Sequence, residues 1–432
     1  MLQVLTNKHT ERLKYVFDLV FKDILGIQYQ VISSEREYTG KDPFINYSEH
    51  HIKNAFNIAP ADILFESMFE PQEIEMSRWK EIPVFFMTKK KADIPFDPFA
   101  LTFYLVTRYE EYLPFRKDRH DRFPATESLA FKEGFLDQPV VNLVWKEISM
   151  EIHSKWPSFS FPAGKYKFTP TVDIDLAYAH IGKGMSRTIT GMAKYLLRRD
   201  FKHVRQRIDT LMGKAGDPYD NFDYQKQVFL RHNLKPVYFV LLADYGKFDR
   251  NLSFENQLFR KLIQKLNKEF MVGIHTSYAS CHDPQRLGIE IGRLSDIRKG
   301  LVTLARQHFV RISFPKTYKN FLRNSISEDY SMGYPDTTGF RAGICTPFLF
   351  YDLEAEQATN LRVFPFFFMD TALIDRMKLT PEEAMEHVTG IAKKVREVGG
   401  HAIGIWHNYS LSETEQYQGW RRVFEELASR LK

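Results

Sequence analysis

The sequence predicts an α/β protein whose carboxyl-terminal part is built on a parallel sheet or barrel, preceded by a smaller N-terminal α+β module. Three observations lead there. From about residue 166 onward, strand-like apolar runs alternate with amphipathic helical segments and short turns, the pattern of parallel strands joined by helical crossovers. Several of these runs meet a polar, chemically capable side chain. Asp173 and Asp175 close Phe168–Val172, His275 closes Phe270–Ile274, His407 closes Ala402–Trp406, and His308 opens His308–Ile312. In parallel α/β architectures helices cover the sheet faces and only the end loops converge, so catalytic groups gather at the strands' carboxyl ends. Third, 432 residues exceed one ordinary core, which predicts two domains, 1–165 and 166–432.

Along the N-terminal part, Leu13, Val16, Phe17, Val20 and Ile24 fall at helical spacing. Gly26 stops that helix, and Gln28–Ile32 reads as a strand. Asp97-Pro98 combines a capping carboxylate with proline at the first helical position, predicting a helix through Phe103 and Val106 to about Tyr112, before Pro114. Arg116–Arg122 mixes both charges and reads as a solvated loop. Nothing before 165 is expected to assemble into an active site.

Beyond Asp175 a basic, helix-compatible segment spans Arg187 to about Lys214, with Arg198, Arg199, Lys202, Arg205 and Arg207. It reads first as a solvated helix face, with attraction to an anionic substrate or membrane surface as the alternative. Val237–Leu242 is a buried-type strand ending near Asp244. Ser253 is expected to cap the next helix, where Phe254, Leu258, Leu262 and Leu266 share a face. Thr380-Pro-Glu-Glu383 pairs a capping box with proline at the first helical position. Ala384, Val388, Ile391 and Val395 carry that helix to the stop at Gly399-Gly400.

Composition narrows the class. Hydrophobic residues at 44% and charged residues at 26% fit a globular chain. The 37 phenylalanines point to dense cores ahead of a sugar-stacking surface. A formal charge of +6 is small for this length, and the scattered basic residues come with no recognition motif, so nucleic-acid binding is disfavoured. Cys281 and Cys345 make no disulfide framework and fit a reducing compartment. The N-terminus lacks a signal-peptide pattern, and no apolar run approaches the roughly 18–20 residues that cross a bilayer. A cytoplasmic location is therefore expected. Nucleophile-elbow, phosphate-loop, His-Glu-x-x-His and Cys-x-x-Cys signatures are absent.

The strand-end residues suit one chemistry. Paired carboxylates raise one another's pKa unless a cation intervenes, so Asp173 and Asp175 call for a metal or an arginine. One carboxylate with two imidazoles is a usual set for a divalent metal that keeps open positions. Such a metal polarises a carbonyl and acidifies its water, and a second carboxylate can act as base. Asp175, His275 and His308 are the candidate ligands, Asp173 the base and His407 the general acid.

At this point the chain resembles a known family. Thr171-Val-Asp173-Ile-Asp175, Gly273-Ile-His275-Thr-Ser277-Tyr278, Gly339-Phe-Arg341-Ala-Gly343 with Pro347, and Ile405-Trp-His407 occur in the order of the motifs of polysaccharide deacetylases (NodB homology, carbohydrate esterase family 4). The resemblance covers roughly 166–432 and is most like a divergent bacterial branch with an extra N-terminal domain. It implies a distorted (β/α)7 barrel and metal-dependent removal of N- or O-acetyl groups from sugars. It makes Asp173 the base and the following carboxylate a ligand. That carboxylate is displaced by one residue, to Asp175, so the two roles could be exchanged. His275 becomes a ligand, but Ala279 stands where its partner histidine belongs. His308 is the replacement proposed on chemistry, and His282 the runner-up. Arg341 matches the arginine that orients the catalytic aspartate, and Asp370 is expected to hold His407 or Arg341. His407 matches the histidine that protonates the leaving group, beside Trp406, either a pocket wall or plain core.

The function so implied is a metal-dependent hydrolase removing acetyl groups from an amino sugar or acetylated saccharide of an envelope or capsule polysaccharide, or its precursor. Its metal would be zinc, or cobalt, manganese or nickel, and its partner a carbohydrate substrate. The cytoplasmic expectation favours nucleotide- or lipid-linked precursors. One alternative is a decayed deacetylase fold that binds carbohydrate without turnover. Another is a metal hydrolase acting on a different C–N bond.

Overall fold

The architecture is mixed α/β, with strands in three sheets. The computed structural model describes residues 1–40 and 42–432. Near the amino terminus, β1 (Leu2–Leu5), β2 (Tyr29–Ile32), β3 (Phe44–Tyr47) and β4 (Phe56–Ile58) form a parallel sheet in the order β2-β1-β3-β4. A small antiparallel ribbon follows, β5 (Ser77–Trp79) with β6 (Ile82–Val84). The large sheet begins with β7 (Lys167–Ile174), β8 (Val237–Leu241), β9 (Met271–Thr276) and β10 (Leu304–Gln307). It continues with β11 (Glu328–Asp329), β12 (Phe348–Asp352), β13 (Gln357–Val363), β14 (Phe368–Met369) and β15 (His401–His407).

In that sheet the order is β12-β13-β11-β10-β9-β8-β7-β15-β14. Every neighbouring pair is parallel except β12 with β13. β8 is buried along its whole length and β7 at all but its first residue, as parallel strands covered on both faces must be. At Gly404 on β15 a Cβ would stand 2.1 Å from the Phe368 ring of β14, so this strand pair tolerates no side chain there.

The strands expected to form a barrel are present, but among the described residues no closing pair joins β12 to β14. Two local causes are visible. β11 and β14 supply only two residues each, and β12 is engaged by the N-terminal part, where Tyr15 Oη donates to Leu349 O at 2.7 Å. Tyr15 also packs on Tyr351, ring centroids 5.0 Å apart, and both contact Phe103. The apolar core is thus continuous across residue 165.

Local signals were followed closely where a cap was decisive. Asp97 accepts from the N–H groups of Phe99 and Ala100 and starts the helix Pro98–Val106. The helix ends sooner than Tyr112 because Arg108 turns left-handed at φ 55°. The Thr380 capping box forms as expected and opens Pro381–Glu397. Asn256 rather than Ser253 caps Gln257–Glu269. The basic segment is two helices, Gly184–Leu197 and Phe201–Leu211, broken where Arg199 adopts φ 56° and Asp200 caps the second. His308 does not open a strand. The strand is the preceding β10, and His308 follows its carboxyl end in a short turn.

A buried ion cluster ties the two halves together. Arg341 donates to both Glu111 oxygens, at 2.9 and 2.6 Å, and Arg108 Nε donates to Glu111 Oε1 at 2.8 Å. Burial alone would raise the Glu111 pKa, but the Arg341 and Arg108 charges outweigh it and hold the carboxyl below its ordinary value. Glu111→Gln leaves two buried guanidiniums undercompensated and is expected to cost about 3–5 kcal/mol of stability, measured by urea unfolding.

Candidate active site

The site is assembled at the carboxyl ends of the parallel strands. β7 delivers Asp173 and, one residue past its end, Asp175; β9 delivers His275 and β15 His407. His308 follows β10, and Asp370 follows β14. All of these side chains except Asp370 border a cavity of about 200 Å³ together with Gln307, Met369 and Tyr409.

Asp175, His275 and His308 present donor atoms that all lie within 4.8 Å of one another. Asp175 Oδ1 is 3.1 Å from His275 Nε2, and Asp175 Oδ2 is 3.6 Å from His308 Nε2. Each imidazole is oriented from behind. His275 Nδ1 stands 2.9 Å from the Arg306 carbonyl, which can only accept, so the proton sits on Nδ1 and the Nε2 lone pair faces the cavity. His308 Nδ1 lies 2.8 Å from Asp249 Oδ1, an oxygen that also accepts from the Tyr278 N–H at 3.0 Å. Asp175 Oδ1 is buried and accepts no well-aligned hydrogen bond. One carboxylate and two back-bonded imidazoles fit a divalent cation.

Electrostatics in the metal-free site agree with that demand for positive charge. Burial pushes the Asp175 carboxyl up, but His308 and His275 pull it well below the ordinary range. Burial pulls the His308 imidazole down, yet Asp175 and Asp249 raise it to about 10.

Asp173 has a different surrounding. Arg306 Nη1 donates to Asp173 Oδ1 at 2.7 Å and to Thr171 Oγ1 at 2.7 Å. The other carboxylate oxygen is 3.7 Å from His275 Nε2. Across the cavity, His407 Nδ1 lies 2.6 Å from Asp370 Oδ1, and its N–H donates to Asp370 Oδ2 at 2.6 Å. Ser410 donates to the same oxygen. His407 Nε2 is left facing Asp175 Oδ2 at 3.6 Å.

Two expectations are corrected here. Arg341 does not orient Asp173. Its loop is docked on the N-terminal part, with Phe340 N–H on Leu136 O and Val141 N–H on Gly343 O, which turns the guanidinium to Glu111. Arg306 meets Asp173 in its place. Of the two roles offered for Asp370, holding His407 is the one realised. His282 is exposed and lies outside the metal-capable group.

Three contributors were not legible as site residues. Arg306 sits inside β10, two residues before His308. Asp249 lies in the loop after β8, where the strand-end rule pointed to Asp244, an exposed group that instead pairs with Arg293. The third is the Arg116–Arg122 segment. It is not simply a solvated loop, for His120 and Arg122 are buried and line the cavity. Arg122 Nη1 donates to Phe309 O at 2.6 Å, and the His120 ring packs on Phe309. Phe309 and Val310 both hold positive φ, 59° and 52°. Backbone in this region is costly for residues with a Cβ, and the N-terminal part clamps the turn that presents His308.

In the metal-free protein, burial lowers the His407 pKa, but the charge and hydrogen bond of Asp370, with Asp175 and Asp173, raise it to about 9. A raised folded pKa stabilises the protonated protein below the ordinary value of 6.5 and is lost as pH rises through about 9. Unfolding of metal-free protein should therefore show a loss on the order of 3 kcal/mol between about pH 6 and pH 10 assignable to this group. Asp370→Asn should flatten that dependence and shift the His407 titration downward in NMR.

Residues 2–157 match DUF7033, a family of unknown function. No curated protein matches the chain. Among solved structures, a Mycobacterium smegmatis protein assigned as a polysaccharide deacetylase is similar at 12% identity and a TM-score of 0.40, over 63% of this chain and 87% of that one. An allantoinase, Puue, is similar at 10% identity and a TM-score of 0.37, over 61% and 84%. A mutant of a CE4 family pseudoenzyme is similar at 11% identity and a TM-score of 0.28, over 60% and 63%. At such identities and scores, any functional reading rests on the site itself.

Proposed function

We propose that the chain is a metal-dependent hydrolase that removes acetyl groups from an amino sugar or other acetylated saccharide. The observation that carries this reading is the pairing of two differently supported groups around one metal-capable set. Asp173, backed by Arg306, and His407, backed by Asp370, both face Asp175, His275 and His308. Residues 166–432 are proposed to form the catalytic part and 1–165 a buttressing part, a division whose boundary lies close to the end of the family match over 2–157.

Asp175, His275 and His308 would hold the ion, zinc or else cobalt, manganese or nickel. When bound it would supply Lewis acidity toward a carbonyl and lower the pKa of water. The remaining steps fall to the chain's own side chains. Asp173 takes the proton of the attacking water, and the Arg306 guanidinium holds that carboxylate in position. His407 gives its Nε2 proton to the departing sugar nitrogen or oxygen. Asp370, held in turn by Ser410 and the His407 backbone N–H, fixes the ring and stabilises its charged form. Asp173 as base and Asp175 as ligand follow from their partners, since Asp173 already has an arginine and Asp175 faces two imidazoles.

The absence of the motif histidine at Ala279 motivates the rival reading, a binding protein on a decayed fold. Metal content and turnover on N-acetylglucosamine oligomers and an O-acetyl ester separate the two. About one ion per chain is expected in the wild type and its loss in His308→Ala. Asp173→Asn and His407→Ala should each keep the ion and lose roughly 10²–10⁴-fold in kcat. A wild type that holds no ion after loading with zinc, cobalt or manganese would sink the hydrolase reading. Loss of the ion in His407→Ala would make His407 a ligand.

A further inference from the structure

The two helices Gly184–Leu197 and Phe201–Leu211 are turned inside out for a water-facing hairpin. On the first, Met185, Ile189, Ala193 and Leu196 recur at helical spacing on one side, and all are exposed, Met185 at 80% and Ile189 at 59%. On the second, Phe201, Ile208 and Met212 do the same, at 66%, 37% and 61%. Leu197, at the bend between them, is 87% exposed. The second helix buries only the polar Arg207 and Thr210, and the first buries no residue. Gly191 receives the Arg207 guanidinium so closely that a Cβ there would overlap it, and Arg207 is buried. An ordinary surface helix hides its apolar stripe; this pair exposes one, and large contiguous apolar patches on a protein surface mark a binding site.

The charge is as unusual as the apolar exposure. Residues 183–214 carry nine lysines and arginines against Asp200 and Asp209. Their excess is larger than the +6 of the whole chain, so the remainder of the protein is close to neutral. Lys194, Arg198, Arg199, Lys202 and Arg205 are exposed beside the apolar stripe. The hairpin is also firmly based. Asp217 accepts from the N–H groups of Ala179, His180 and Ile181 at 2.7–3.0 Å, and Arg187 donates to Arg250 O at 2.8 Å while stacking on Tyr245.

We infer that this hairpin docks the protein on an anionic phospholipid surface, its leucine, isoleucine, methionine and phenylalanine side chains entering the acyl boundary and its basic residues meeting the headgroups. A helix pair with a strong apolar side, low overall hydrophobicity and a lysine- and arginine-rich remainder has the chemistry of an interfacial anchor. A second copy of the chain is the poorer occupant, because it would bring one strongly basic hairpin against another.

The placement matters for the site. The hairpin follows Asp175 by a short loop and walls a cavity of about 540 Å³ with Leu176, His180, Lys183, Tyr195, Tyr219 and Tyr417. Tyr417 packs on Tyr409 at 5.9 Å, and Tyr409 on His407 at 4.9 Å. Docking would therefore bring the candidate active site near the bilayer, and a membrane-borne saccharide would reach it. That consequence rests on the proposed hydrolase reading, whereas docking itself does not.

Co-sedimentation of the full chain with vesicles tests docking without any turnover. Wild type should pellet with phosphatidylcholine vesicles containing phosphatidylglycerol, release as salt is raised, and bind pure phosphatidylcholine weakly. L197E/F201E and R198E/R199E/K202E, all at exposed positions, should each lose roughly tenfold or more in partitioning while melting as wild type does. Wild type that stays in the supernatant with anionic vesicles at low salt overturns the inference, as does undiminished binding by both variants. Self-association in the ultracentrifuge that L197E/F201E abolishes would also overturn it, assigning the face to a second copy.

Discussion

The guanidinium of Arg306 is the interaction on which the rest of the catalytic end depends. It leaves β10, donates Nε–H to the Tyr330 carbonyl beyond β11, and reaches Thr171 and Asp173 on β7. Its flat face lies over Phe239 of β8, with Phe366, just before β14, on another side. Strands β10 and β7 have two others between them, and a flat sheet would hold them roughly 14 Å apart at about 4.8 Å per step. One side chain that contacts groups from so many strands requires a sheet curved around it. The charge is fully buried, and such a charge persists only when paired and hydrogen-bonded. Asp173 is that pair, so the position of the proposed base and the curvature of the sheet have one cause.

The same logic runs outward from the cavity. Each cavity-facing imidazole has its back nitrogen committed, His275 to a main-chain carbonyl, His308 to Asp249 and His407 to Asp370. The committed nitrogens decide which nitrogen remains free, and therefore what each ring can do. His275 and His308 converge on Asp175 as the metal-capable set, His407 faces Asp175 from outside it, and carboxylates raise the pKa of both His308 and His407. His308 and His407 are both backed by carboxylates, so it is membership of the metal-capable set and not the backing group that distinguishes them.

The N-terminal part belongs to this arrangement although it brings no group to the metal-capable set. Arg122 and His120 grip the strained Phe309–Val310 turn that carries His308, and Glu111 neutralises Arg341 and Arg108 at the seam. Removing this part would expose the continuous core and release the turn together. The basic hairpin follows the carboxyl end of β7, the strand that carries Asp173.

Much of this was written locally. Apolar runs marked β7, β8, β9 and β15, and caps at Asp97 and Thr380 marked helix starts, because neighbouring residues decide those features. Strand ends and motif order pointed to Asp173, Asp175, His275 and His407, while His308 was offered on ligand chemistry and Asp370 as a support for His407 or Arg341. Only the tertiary structure decided the partners. Arg306 and not Arg341 meets Asp173, since both arginines have the same local character and what separates them is which carboxylate the packed chain brings within reach. Asp249 joined through a loop whose path no periodicity describes, and His120 through a contact across nearly two hundred positions of chain to Phe309. Barrel closure was likewise a matter of packing, because β12 contacts the N-terminal part at Leu349. Sequence by itself determined which groups are available and where each strand ends; the fold decided which charges must compensate one another, because desolvation acts on residues brought together in space.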